Sequence, residues 1–187
     1  MVAGKIQLLI AMPALDRSIF SHTMILMAEQ ETSGSLGFIV NMPTGTFVRD
    51  VLKLMKIDQP FLNEIPILFG GPVQTDFFWF IHSPDFTTKS TIMLHEQFYL
   101  SSALDVFPSL RLKDGPQIFF SGVGYSGWGE RQLEREIEEG SWWLGNFDLD
   151  LVFNTNHEEK WAEAIKSLGV DPERLIDLTN PSAPVVN

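Results

Sequence analysis

At 187 residues, with 44% hydrophobic and 20% charged side chains, the chain has the proportions of an ordinary globular domain and enough length to bury a sizeable core. The absence of cysteine excludes disulfides, thiolate nucleophiles and Cys-based zinc or iron–sulfur sites. A formal net charge of -11 argues against direct nucleic-acid binding, in which Lys and Arg displace phosphate counterions, and every apolar run breaks well before the ~18 residues of a membrane span.

In chain order, Lys5 to Ala11 reads as a core strand and not a signal peptide, stopped at Met12 and Pro13 because proline cannot donate to a ladder. Thr23 to Met27 and Leu36 to Asn41 are apolar runs on either side of a polar stretch, the pattern of a hairpin. Phe47, Val51, Leu54 and Met55 fall at helical spacing, with Thr46 placed as an N-cap. Ile67 to Phe69 and Phe77 to Ile81 are strand candidates flanking Gly70, Gly71 and Pro72, and Thr91 to Leu94 is a weaker one. Ser102 and Asp105 mark the start of a short helix expected to end near Pro108.

Gln117 to Ser121 has the composition of a buried strand, and Glu130 to Glu139 that of a helix with Leu133 and Ile137 on one face. Leu149 to Phe153 reads as a further strand. Glu158 to Leu168 reads as a helix with Trp161, Ile165 and Leu168 on one stripe, ended by Gly169, and Asp171, Pro172 and Glu173 open a last short helical turn. Without repeats, linkers or regular βαβ alternation, the expected fold is α+β with a mixed, mostly antiparallel sheet. It forms one domain over residues 1–179, with a flexible tail over 180–187. A cytoplasmic location fits this composition.

The chemistry-bearing stretch is GYSGWGERQLEREIEEGSWW, Gly124 to Trp143, read as a buried strand joined to an amphipathic helix by a glycine-rich loop. Gly122, Gly124 and Gly127 match the G-x-G-x-x-G spacing, in which backbone amides and a helix N-terminus receive a phosphate. Too little chain follows to complete a dinucleotide fold, and Asn154 stands where a ribose-binding carboxylate is needed. Ser126 fails the nucleophile elbow because Trp128 replaces a glycine. His95 and Glu96 fail the zinc-protease pattern because Tyr99 replaces the second histidine.

Gln132 and Glu136, one helical turn apart, can line a cleft or lie on a solvated face. Trp128, Trp142, Trp143 and Phe147 can stack on a ligand or form core. Asn41, Pro43, Gly70, Gly71 and Pro72 sit at strand ends where turns explain them, and become site candidates if the fold brings them beside Tyr125 and Trp128. No metal, cofactor or catalytic set is indicated.

Taken together, "LLIAMPALDRSIFSHTMILMAEQETSGSLGFIVNMP", "LFGGPV", "GYSGWGERQLEREIEEGSWW", "LVFN" and "KWAEAIKSLGV" make the chain resemble the YqgE/AlgH family of bacterial proteins from Gly4 to Gly169. The resemblance implies a compact α+β domain with a mixed sheet bent toward a barrel-like core, a cytosolic location and no settled activity. The family name suggests transcriptional regulation, although this acidic chain shows no helix-turn-helix or basic face. Asn41, Gly70, Gly71, Pro72, Gly124, Tyr125, Gly127, Trp128, Gln132 and Glu136 match the family. Gln30, Arg131 and Asn180 to Ala183 depart from it.

Two functions follow as expectations. One is a non-enzymatic binding or regulatory protein with a protein or small-molecule partner. The other is an enzyme or binder of a phosphate-bearing small molecule or nucleotide, acting through the Gly122 to Gly127 loop.

Overall fold

The structure, a computed structural model, describes residues 7–31, 33–56, 64–112 and 114–179. Ten strands form one mixed, mostly antiparallel sheet: β1 (Gln7–Ala11), β2 (Met24–Glu31), β3 (Gly34–Ile39), β4 (Pro43–Phe47), β5 (Pro66–Phe69), β6 (Val73–His82), β7 (Ile92–His95), β8 (Phe98–Ser102), β9 (Phe119–Trp128) and β10 (Trp142–Asn146). The main path runs β10-β1-β2-β3-β9-β6-β8-β7, with β5 joining β4 to β9. Among the described residues the one parallel pairing is β5 with β9. The helices are α1 (Val48–Leu54), α2 (Ala103–Leu112), α3 (Gln132–Glu138), α4 (Lys160–Ser167) and α5 (Pro172–Thr179).

β9 organises the sheet because its two halves serve different neighbours. Phe119 to Val123 pair with β6, and Ser121 to Val123 also face β5. Ser126, Gly127 and Trp128 pair with β3. The sheet bends around this strand without closing by hydrogen bonds, and its two ends meet instead through side chains. Phe147, just past β10, packs on Phe98 of β8 with ring centroids 4.7 Å apart.

The concave face encloses the largest core, where Leu8, Leu26, Phe38, Trp79 and Phe98 meet Val152, Trp161 and Ile165. Each such side chain contributes about 1.5–3 kcal/mol on leaving water. A second core lies between α1, α2 and the outer face of β5 and β6. A third seats Leu133 of α3 against Ile25, Trp128 and Trp142. The Trp161, Ile165 and Leu168 stripe of α4 turns inward as its spacing predicts.

Several expectations are corrected. Thr46 lies in β4, and Phe47 occupies the α1 cap position, where its amide donates to the Asp50 carboxylate at 3.0 Å. α2 continues through Pro108 to Leu112. Buried Val106 and Phe107 before the proline and Leu110 after it offset its cost of about 3 kcal/mol. Leu149 to Phe153 is not a strand: residues Asp150–Asn154 form a π-helical turn. Asp148 accepts the Leu151 amide, and Asp150 accepts the Asn154 side-chain amide. A short apolar run cannot by itself separate strand from helix, and these polar groups decide it.

The glycine-rich segment is not a loop either; β9 runs through it to Trp128. β4, β8 and β10 lie outside the predicted set, and α5 runs for eight residues where one turn was expected. The start of the first predicted strand at Lys5, the tail and the departures at Asn180 to Ala183 fall outside the described residues.

Candidate functional site

The singled-out residues gather at two places, with Asn41 at a third. The first is a junction where β3, β5 and β9 meet. The Gly70 amide donates to the Val123 carbonyl at 2.8 Å, and its own carbonyl accepts from the Ile39 amide at 2.9 Å and the Ser126 hydroxyl at 3.1 Å. A Cβ on Gly71 would stand 2.3 Å from the Tyr125 carbonyl carbon, and one on Gly124 would stand 2.3 Å from the Gly71 carbonyl oxygen. Gly71 and Gly124 also have φ of +147° and +69°, a region that L side chains rarely adopt. The Trp79 indole donates to the Gly124 carbonyl at 2.7 Å and closes the junction from the core. The fold thus brings Gly70 and Gly71 beside Tyr125, while Gly127 is exposed and has room around it.

The second place is the Glu136 carboxylate on α3. One oxygen accepts both the Trp128 and Trp142 indole N–H groups, at 2.9 and 2.8 Å, and the other accepts the Gln132 amide at 2.8 Å. Gln132 turns its own oxygen to the Gly129 amide at 3.0 Å. The carboxylate therefore ties the end of β9 to β10 through their tryptophans, whose rings meet edge to face at 5.9 Å. Trp143, on the opposite face of β10, packs into the largest core.

Neither place forms a phosphate cradle. The strand–loop–helix geometry expected for Gly122 to Gly127 does not exist, because the segment is strand and the Gly129 amide ahead of α3 is already bonded.

Asn41 works elsewhere. Its side-chain oxygen accepts the Met24 amide at 2.7 Å and its amide donates to the His22 carbonyl at 2.9 Å, holding the turn before β2 in place. His22 takes a left-handed φ of 52° and packs edge to face on Trp161, with centroids 4.4 Å apart. These two rings line a cleft of about 460 Å³ between that turn, α4 and α5. Ala162 and Pro172 line it together with Lys166 and the exposed carboxylates Glu158, Asp171 and Glu173. The spacing of α4 shows only its buried stripe, so nothing in the sequence marks the cleft.

On the core side of α4 lies Lys160, 1% exposed. Its ammonium donates to the Val40 carbonyl at 3.1 Å and lies 3.2 Å from His157 Nδ1. Burial lowers its pKa from 10.5 to about 8. His157 is also lowered, first by burial and then by the neighbouring lysine charge.

A further buried pair joins His82 Nε2 to the Ser101 hydroxyl at 2.9 Å, with the Thr91 hydroxyl 2.7 Å from Ser101. Burial lowers the His82 pKa. The spacing suits a base and a nucleophile, but both side chains are fully buried, and they serve to join β6, β8 and the segment before β7. Among the described residues no group of three or more His, Asp or Glu side chains is placed to hold a metal ion, and no helix is long and apolar enough to cross a membrane.

Comparison with known proteins gives one consistent answer. The AlgH-like family model, DUF179, matches residues 8–173. A UPF0301 protein of Shewanella loihica is 35% identical over 167 residues, covering 88% of this chain and 90% of the relative. One of Thioalkalivibrio sulfidiphilus is 35% identical over 166 residues, covering 88% and 89%. The solution structure of the AlgH protein from Pseudomonas aeruginosa superposes with a TM-score of 0.76 at 30% identity, covering 97% of this chain and 95% of that one. A Corynebacterium diphtheriae protein shares the fold, with a TM-score of 0.68 at 15% identity over 90% and 87% of the chains. With the family match running from β1 into α5, and the sheet shared with a solved AlgH structure, the chain belongs to the AlgH-like (YqgE/AlgH) family.

Proposed function

We propose that this protein is a non-enzymatic binding or regulatory protein of the bacterial cytosol, and that it engages its partner through the cleft between the His22 turn, α4 and α5. The observation that carries this reading is a contrast in unspent bonding capacity. Gln132, Glu136, Asn41 and the glycines of β9 direct their polar groups to other parts of the chain. The cleft instead sets apolar side chains beside carboxylates, of which Glu158 and Glu173 have no hydrogen-bond or ion-pair partner among the described residues, the mixture from which recognition sites are built. Losing the Gly122 to Gly127 loop takes away the support for the phosphate-binding alternative.

The test is an NMR screen of the purified protein against a fragment and peptide library, run beside assays for turnover of the same compounds. Binding that shifts the Trp161 indole and the Ala162 amide without turnover supports the reading. A compound that is turned over, with turnover lost in a folded Gln132→Ala or Glu136→Gln variant, overturns it, as does a screen in which nothing reaches the cleft.

A further inference from the structure

The C-terminal third concentrates the acidity of the molecule. Residues 146–179 carry eight Asp or Glu and three Lys or Arg, and one of the three, Lys160, is buried beneath α4. Lys166 is held by Glu163 at 2.8 Å, and Arg174 leans toward Asp171 at 3.9 Å. Lys166 also lines the cleft, but its ammonium is engaged by Glu163. Among the described residues the Glu158 and Glu173 carboxylates accept no hydrogen bond and join no ion pair, so with Asp171 the carboxylates of the cleft outnumber its one cation.

A second cleft, of about 390 Å³, lies on the other flank of α4, between it and the π-helical turn. Asp148, Asp150 and Glu163 line it beside Phe147 and Leu168. Two hollows with apolar and acidic linings therefore straddle one helix. A single small cation occupies one of them at most. A chain in the polyproline II conformation advances ~3.1 Å per residue with about three residues per turn. It crosses a helix ~10 Å wide in about three residues and turns side chains i and i+3 to the same side, one toward each hollow.

We infer that this face receives a basic peptide segment of a partner protein, an assignment that rests on the binding reading above. One arginine or lysine stem lies along Trp161 and Pro172 with its charge among Glu158, Asp171 and Glu173. A second basic residue, about three positions away on the same side of a polyproline II segment, reaches the hollow beside Asp148 and Asp150. Long basic side chains suit such sites because the aliphatic stem covers apolar surface while the head stays near water and carboxylate. Opposite charge also speeds encounter.

The probes are the acetylated, amidated hexapeptide Leu-Arg-Ala-Ala-Arg-Leu, its counterpart with glutamate for arginine, and N-acetyl-arginine methylamide. Each is titrated into the full chain by NMR. The arginine hexapeptide is expected to bind with a Kd below about 1 mM, shifting the Trp161 indole together with residues on both flanks of α4. Affinity should fall several-fold between about 50 and about 200 mM salt. It should fall by about fivefold or more in the variant combining Glu158→Gln, Asp171→Asn and Glu173→Gln. Asn at 171 can still accept the Glu173 amide that Asp171 accepts at 3.0 Å, so α5 keeps its start.

Equal binding of the glutamate peptide, or unchanged affinity in the triple variant, overturns the basic partner and leaves the binding reading standing. Binding of the arginine amide as tight as that of the hexapeptide makes this a small-cation site and overturns the peptide. No shift at the cleft with the arginine hexapeptide also overturns the inference, whereas the binding reading fails only if the wider screen finds nothing there either.

Discussion

The β9 junction and the cleft beside α4 divide the molecule by what each does with its polar groups. Along β9, Gly70, Gly71 and Gly124 pack against one another at the junction, and at the strand's end Trp128 bonds with Trp142 to Glu136. At the cleft, the α4 stripe is spent on the core, but Glu158 and Glu173 have no hydrogen-bond or ion-pair partner among the described residues. Glycines, tryptophans and a Gln–Glu pair at regular spacing resemble a ligand site, yet the same residue types are what a three-strand crossing needs. Close backbone approach calls for glycine, and buried indoles call for an acceptor.

The largest effect expected at the junction is that of Gly124→Val. A branched side chain there meets the Gly71 carbonyl and a left-handed backbone at once. A loss of more than about 4 kcal/mol, or failure to fold, is expected, measured by urea denaturation. Gly127→Ala, three residues along the same motif, should cost less than about 1 kcal/mol, because the nearest atom to its Cβ is 3.6 Å away. Equal losses at the two positions would break the assignment of the motif to packing.

Glu136→Ala should cost about 2–4 kcal/mol, since it strands two indole donors and one amide. The same denaturation series gives the value, and near-ultraviolet circular dichroism should report the loosened Trp128 and Trp142 pair. A loss below about 0.5 kcal/mol would return Glu136 to the list of free ligand groups.

Lys160, on the core side of α4, sharpens the comparison. Its folded pKa of about 8 lies below the ordinary 10.5, so between these values the unfolded chain holds the proton and the folded chain does not. Stability contributed by this group therefore rises as pH climbs from about 8 to about 10.5, by up to about 3 kcal/mol. It is flat below that window, where both states are protonated. In Lys160→Met this rise should vanish, so the stability difference between variant and parent changes across the window. A constant difference from pH 7 to 10 would show that the amine is not desolvated.

The smallest effect belongs to the cleft rim. The triple variant at Glu158, Asp171 and Glu173 should leave stability within about 0.5 kcal/mol of the parent. A larger loss would mean that these carboxylates are structural, like Glu136.

Much of the architecture was legible in the sequence because hydrophobic period is a local property. The stop at Pro13, the hairpin of β2 and β3, the Leu133 and Ile137 face and the α4 stripe ended by Gly169 all follow from neighbours within a few residues. The errors came where local pattern is ambiguous. Leu149 to Phe153 has strand composition and is bent into a helical turn by Asp148 and Asp150. Pro108 should stop a helix but sits on its exposed side, between anchored residues. Trp142 and Trp143 read as an aromatic cluster and form a strand whose alternate faces enter two different cores.

By itself the sequence determined the family, the α+β class, the acidity and the amphipathic faces, because residue order and side-chain character suffice for these. Only the tertiary structure decided that β9 runs through the glycine motif, that Glu136 is consumed by two indoles, and that two acidic hollows flank α4. Those outcomes depend on contacts between residues tens of positions apart. Whether a polar group is spent or free is settled by what the fold brings within ~3 Å of it, which no spacing along the chain records.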